Sequence, residues 1–464
     1  MEGSTEITHL SLRAGFGLTM DEFVHFRGRS PHQLFDAYWS EQIPPLPDSD
    51  FVGTLTEEKV RKLSSKERLE LRKQARKSTS EVAYAWFLRM AESPVSAQLI
   101  EKVSLFWHGH FACRIENPIN AVNYLNALRQ HGLGNFRDLV LAIARNGAMI
   151  NYLNNQQNRK DHPNENFARE LLELFTIGRG HYTEQDVREA ARAFTGWSAN
   201  FEGKFIFQRQ HHDFGVKTFM GHSGNWDGED IIDLILEQRA SARFIASRIY
   251  HFFVNSDVDE PMVDQMADLL FQSGYELGPV FRFLFTADHF YQPRHLGSQI
   301  KSPVAWLAGL SRAFQYRLPP EEGLGRFFRL TGQMLFNPPN VAGWPGGRAW
   351  VDNASLQLRV SVPLMALDLS NKRKEKQNWK VDWETLMQKL PPGEDLSHFL
   401  ATWLLAQNGN DRQALISYLD QVLAGKDQSF KVRTVAFMAT PEYQMALDSA
   451  SSNSSFWTMA YSTG

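Results

Sequence analysis

The chain has 464 residues, 43% hydrophobic and 22% charged, with a formal net charge of −3. This length supports a large core of two or three packed subregions, and the charge excludes a global attraction to nucleic acid or to an anionic membrane. The single cysteine, Cys113, excludes an intramolecular disulfide and any multi-cysteine zinc or iron–sulfur site within the chain.

The first six residues, Met1 to Glu6, have neither a basic n-region nor an apolar h-region. The expected location is therefore the cytoplasm, with export open if the start is trimmed. No apolar run approaches the ~18 residues of a membrane helix. Phe244 to Val254 comes closest, and Arg248 and His251 interrupt it, so no membrane insertion is expected.

Thr56 to Lys77 predicts a charged, solvated helix. Ser80 to Met90 and Ser96 to Trp107 predict amphipathic helices parted by Pro94, and Gln130 to Ala144 a further one. In Phe106-Trp107-His108-Gly109-His110-Phe111, the glycine suggests an exit from the helix. In an extended segment His108 and His110 would share one side and bind a metal as neutral imidazoles. The competing reading is a pair of core-edge hydrogen bonders.

Asn164 to Gly178 predicts an amphipathic helix with Phe167, Leu171, Leu174 and Phe175 on one face. Glu170 stands at the border of that face, and Glu173 lies about 60° from it. A carboxylate there needs a cation or donors, so Glu170 is the preferred metal ligand or general base, with Glu173 in support. Surface ion pairs through Arg169 are the alternative. Thr183 and Asp186 make a capping start, and Val187, Ala190, Ala191 and Phe194 form a buried stripe. Arg188 and Arg192 flank it, either holding an anionic substrate or forming an ion-paired face.

Asn200 to Met220 carries the β signal, a small antiparallel hairpin with strands at Phe205–Phe207 and Lys217–Met220. His212 and Asp213 are candidate metal ligands there, with Lys217 as an electrostatic helper; an Asx-turn at Asp213 is the alternative. Helices resume over Gly228–Glu237, Ser241–Phe253, Pro261–Ser273 and Pro279–Thr286. Asn337 to Gly347 is too rich in proline and glycine for a helix. In this loop region Trp344 and Trp350 could wall a cleft for a small-molecule or glycan-like substrate. Asn371 to Lys376 reads as a linker, and Ser449 to Ser455 as a disordered tail.

The expected fold is mainly α, a multi-helix globular protein with a small antiparallel β-hairpin insert. A main domain over 1–370 carries the insert near 200–220. A C-terminal helical region over 380–448 packs on it, and 449–464 is a flexible tail. No phosphate-binding loop, dinucleotide fingerprint, His-Glu-x-x-His motif, nucleophile elbow or EF-hand is present in the sequence.

Several segments recur together in a known pattern: His9 to Gly17, Phe106 to Phe111, Asn164 to Gly178, Tyr182 to Trp197, His212 to Lys217, Lys301-Ser302-Pro303, Gln333 to Trp350, and Pro441 to Gln444. On these the chain resembles a bacterial family, the domain of unknown function numbered 1800. The resemblance implies no general activity. Many members look exported, unlike this chain, and lie beside a sulfatase-like family, which implies a sulfatase-like protein partner.

The functional expectation is a metal-dependent enzyme, a hydrolase or oxidoreductase, with zinc, iron or manganese held by His108, His110, Glu170, Glu173, His212 and Asp213. The alternative is a non-catalytic binding or maturation partner in which the same residues form a structural polar network.

Overall fold

Helices start where the chain supplies caps. Ser64 accepts the amide of Glu67 while the Glu67 carboxylate accepts the amide of Ser64, and this box opens the 28-residue helix Ser65–Glu92. Asn117 caps Pro118–His131 and Ser302 caps Pro303–Phe314, each with proline in the first turn, where no amide is needed. The computed structural model describes residues 2–39, 44–46, 57–316, 318–365 and 380–445. Among them the protein is mainly helical, with two small two-stranded antiparallel sheets. The linker read at 371–376 and the tail read at 449–455 lie outside the described residues.

Two helix boundaries differ from the sequence reading. Residues 65–77 of the charged stretch and Ser80–Met90 are one helix, because no proline or glycine stands between Ser65 and Glu92, while Glu57–Arg61 forms a separate short helix before it. The helix expected over Gln130–Ala144 is the end of Pro118–His131 followed by Phe136–Ala144, parted at Gly132-Leu133-Gly134.

The β insert is two hairpins rather than one. Strand β1 (Trp197–Ala199) pairs with β2 (Phe205–Phe207), with Ala199 opposite Phe205. Strand β3 (Lys217–Phe219) pairs with β4 (His222–Gly224), with Phe219 opposite His222. The tight turn between them holds Met220 at φ 46° and Gly221 at φ 83°, both positive as a type I′ turn requires. Phe205–Phe207 therefore folds back onto residues before the glycine turn, and Lys217–Phe219 finds its own partner.

The core is aromatic along the helix Val95–His110. Trp107 stacks on Phe111 and packs near Phe136, with ring centroids 5.6 Å apart in each case. One buried ion pair lies on the same helix: Glu101 receives Arg129 at 2.9 Å, and the Trp86 indole donates to its other oxygen at 2.9 Å. The pair is 1% and 3% exposed. The C-terminal helices close over the first helix, Glu2–Ala14, where Thr8 donates to the Thr402 carbonyl at 2.7 Å. The Trp403 indole likewise donates to the Leu18 carbonyl at 2.9 Å. No helix among the described residues is long and apolar enough to cross a membrane.

Candidate functional site

The helix Val95–His110 does not end at Gly109. The Phe111 amide still reaches the Trp107 carbonyl, so His108 and His110 are both helical. Two residues on a helix are about 200° apart, and the histidines point to opposite sides. The extended geometry that would have aimed them at one ion is absent.

His108 sits in an aromatic cage of Trp86, Tyr124, Phe336 and Trp344, with centroids 5.3–5.7 Å away. Its Nε2 accepts the amide of Phe336 at 2.9 Å. That lone pair is committed, so the ring is neutral with its proton on Nδ1. Burial pushes the His108 pKa down to about 3. His110 Nε2 instead donates to the Phe175 carbonyl at 2.9 Å, leaving Nδ1 buried without a partner. Burial, then the field of Arg248, lowers its pKa to about 3 as well.

Phe175 lies in a π-helical turn. The α-helix Asn166–Glu170 passes into a π segment over Leu171–Thr176, where the Ile177 amide reaches Leu172, five residues back. Gly178, at φ 83°, ends the segment with its amide also on Leu172. Glu170 sits at the α-to-π junction, half-buried, with no hydrogen bond or ion pair to any described residue. Burial and the neighbouring Glu173 raise its pKa. Glu173 is itself engaged, accepting Arg179 Nε at 2.6 Å and the Tyr182 hydroxyl at 3.3 Å.

The His212 turn is a closed structural unit. His212 Nδ1 donates to the Thr195 carbonyl at 2.8 Å, and its ring lies between Phe207 and Phe214. Asp213 accepts the Gly215 amide at 2.8 Å, the Asx-turn geometry, and Arg192 Nε at 2.7 Å. Buried Lys217 donates to the carbonyls of Asp213 and Gly215, at 2.6 and 3.1 Å. Arg192 also holds Glu189 and the Val216 carbonyl, and Arg188 reaches Gln185 on the surface. Among the described residues no three His, Cys, Asp or Glu side chains stand together as a metal site. Shared coordination by His108, His110, Glu170, Glu173, His212 and Asp213 is thus unsupported: most of these donors already serve hydrogen bonds or ion pairs within the fold.

A groove of about 490 Å³ opens beside His108 instead. The long helix Ser65–Glu92, the segment 114–116, the helix Glu321–Leu330 and the turn 334–337 form its walls. Tyr84, Ile115, Leu324, Phe328 and Phe336 line its apolar part. Phe336 is held at φ 59°, a conformation costly for a bulky residue. Two bonds hold it there: its amide to His108, and its carbonyl receiving the Ile115 amide at 2.9 Å. Arg76 pairs with Glu116 across the groove at 3.1 Å. Exposed Arg114 and Arg329 line it with no hydrogen bond or ion pair to any described residue. Arg114 also shares a neighbourhood with Glu170, since both act on the Tyr152 phenol. Trp344, half-buried, presents its edge to His108, and Trp350 is buried; neither lines the groove.

The sequence reading passed over Arg114, Arg329 and Phe336. A signal for the first exists in Cys113-Arg114-Ile115-Glu116, whose alternation of buried and exposed residues is that of an extended strand-like segment.

Residues 9–445 match the family model described as a protein of unknown function, DUF1800. The chain belongs to the DUF1800 family. No curated protein and no solved structure matches it. The segments that carried the resemblance hold one another in space: His108 binds Phe336, His110 binds Phe175, and His212 binds Thr195. In this DUF1800 chain the histidines therefore join the motifs as buried hydrogen bonders.

Proposed function

We propose that the protein is a binding module whose ligand occupies the groove beside His108. The supporting observation is the pairing of an apolar, aromatic wall with two unpaired arginines, Arg114 and Arg329. A volume near 490 Å³ is that of a small-ligand site. Free guanidinium groups suit carboxylate, sulfate or phosphate. The fitting class is a small molecule or short glycan with an acidic group and an apolar or ring face. In this reading the His, Glu and Arg motifs are the polar frame that holds Phe336 in its strained position.

The test is calorimetric titration with an oligosaccharide bearing uronic acids and with its neutral counterpart. Only the acidic ligand is expected to bind. Arg114→Ala and Arg329→Ala should each weaken binding by at least tenfold, since a charge-assisted bond contributes about 1.5–3 kcal/mol. Equal binding of both sugars, or binding unchanged in both variants, refutes the groove assignment.

A second reading, an enzyme using Glu170 as general acid or base, is favoured by that carboxylate's raised pKa and lack of a partner at a π turn. A divalent zinc, iron or manganese ion belongs to this reading only if Glu170 recruits it without the engaged histidines. Glu170→Gln removes a half-buried charge that no hydrogen bond or ion pair holds. Because the folded pKa is raised, the native state loses stability as pH rises through it. The variant should therefore be more stable than wild type at pH 7, and the gain should vanish as pH falls and the wild-type carboxyl becomes protonated. A variant less stable than wild type at pH 7, together with metal in the wild-type protein, would instead make Glu170 a ligand.

A further inference from the structure

Four cations are gathered in the interior, away from the groove, with no anion among them. Arg13 and Lys102 are 8% and 7% exposed, Arg359 is fully buried, and Lys301 is half-buried. Their contacts connect them in one chain. Lys102 Nζ donates to the Leu12 carbonyl at 3.1 Å, beside Arg13. Arg13 donates to the His295 carbonyl at 3.2 Å and to Ser298 Oγ at 3.1 Å, three residues before Lys301. Lys301 Nζ donates to the Tyr443 carbonyl at 3.1 Å, and Arg359 donates to the carbonyls of Lys301 and Gln444 at 3.0 and 3.3 Å.

Every one of these acceptors is a neutral carbonyl or hydroxyl. The remaining contacts are aromatic faces: Phe16 under Lys102, Tyr443 under Lys301 and Trp306 under Arg359, at 4.7, 4.3 and 5.7 Å. No described carboxylate acts on any of the four. Arg129 and Arg312, by contrast, each hold a carboxylate, Glu101 and Glu22. Donors are also left over, because Arg359 Nε and Trp306 Nε1 are buried with no acceptor. Buried charge without a counter-charge is costly, and donors without acceptors add to that cost. Leu12, Ser298, Gln299 and Ile300, neighbours of these cations in sequence, are partly exposed.

We infer that Arg13, Lys102, Lys301 and Arg359 form a binding site for a tetrahedral oxyanion, a phosphate or sulfate group. A dianion would supply the missing counter-charge and four acceptor oxygens. The site is separate from the groove: none of its residues lines it.

Without an anion the cluster can discharge only through its lysines, since guanidinium groups stay protonated in proteins. Burial, then the charges of Arg13 and Lys301, pulls Lys102 down to about 7, and burial, then the charges of Arg359 and Arg13, does the same to Lys301. The other titratable groups facing the cluster do not interfere between pH 6.5 and 9. His9 and His295 are lowered by burial and stay neutral, and Tyr443 is raised by burial and stays protonated. For a lysine lowered on folding, the unfolded chain binds more protons between about pH 7 and 10.4. The anion-free protein therefore gains stability across that window, whereas anion binding weakens across it.

The test is a set of thermal melts at pH 6.5 and 9 in sodium phosphate, sodium sulfate or sodium chloride at matched ionic strength. Sulfate at about 10 mM, a dianion at both pH values, should raise Tm by roughly 2 °C or more over chloride at pH 6.5, and by less at pH 9, whereas phosphate, largely monoanionic at pH 6.5, should act more weakly there. At pH 9, where both are dianions, which of the two acts more strongly identifies the group recognised. Lys102→Met keeps the length of the side chain and removes its charge, so it should abolish the anion-specific rise. Lys301→Met serves if Lys102→Met does not fold. Arg114→Ala should keep the rise, which separates this site from the groove. No difference from chloride at pH 6.5, or an undiminished rise in the foldable lysine variant, overturns the inference.

Discussion

Glu101→Gln should destabilise the protein by about 3–5 kcal/mol, one of the largest effects of any conservative change. The carboxylate receives Arg129 on one oxygen and the Trp86 indole on the other, and both members of the ion pair are almost fully buried. The amide has nearly the same shape but leaves Arg129 as an uncompensated interior charge. Its NH₂ group would also point a donor at a donor, toward either Arg129 or the Trp86 indole. Chemical denaturation should show a lower midpoint with an unchanged m-value, since the surface exposed on unfolding is the same. The double variant Glu101→Gln with Arg129→Met should recover part of the loss, because it removes the stranded cation. A loss under 1 kcal/mol would mean that water reaches Arg129.

His108→Ala is expected to cost a similar amount, about 3–5 kcal/mol, for different reasons. It empties a site packed by four aromatic rings and leaves the Phe336 amide without its acceptor. The loss should be the same with and without chelator, because His108 acts through a hydrogen bond. If chelator lowers wild-type stability to that of the variant, His108 is a metal ligand. The pH profile gives an independent reading. His108 and His110 are both depressed to about 3 by burial, so between about pH 3 and 6.5 the unfolded chain takes up protons that the native state refuses. Wild-type stability should therefore fall as pH drops below 6.5, by up to about 1.4 kcal/mol per pH unit for each histidine. His108→Ala should show a shallower acid slope by one histidine's share.

Much of the helical layout could be read from local chemistry. The Thr183–Asp186 pair and the apolar spacing of 228–286 each act within one or two turns of chain, and the corresponding helices are present. The site was less legible because its parts are brought together by distant contacts. Gly109 reads as a helix exit, yet the backbone carries the helix one residue further, and that reverses the relation between His108 and His110. The apolar face from Phe167 to Phe175 was visible, but the π turn that offers the Phe175 carbonyl to His110 was not, because the group that meets that carbonyl is 65 residues away in the chain. Phe336 could not be recognised from its neighbours either. A left-handed phenylalanine is tolerated here only because Ile115 and His108, more than two hundred residues away, hold both its carbonyl and its amide.

The closing of the C-terminal helices over Glu2–Ala14 also sets a schedule for the growing chain. Thr8 and its acceptor on Thr402 are separated by 394 residues. At a synthesis rate of about 5–20 residues per second, the first helix is made roughly 20–80 s before its covering surface leaves the ribosome. During that interval the side of Glu2–Ala14 that meets the helix Leu396–Leu404 is uncovered. The helix Glu2–Ala14 thus completes its packing on this side only after the 394 residues that separate Thr8 from Thr402 have been made.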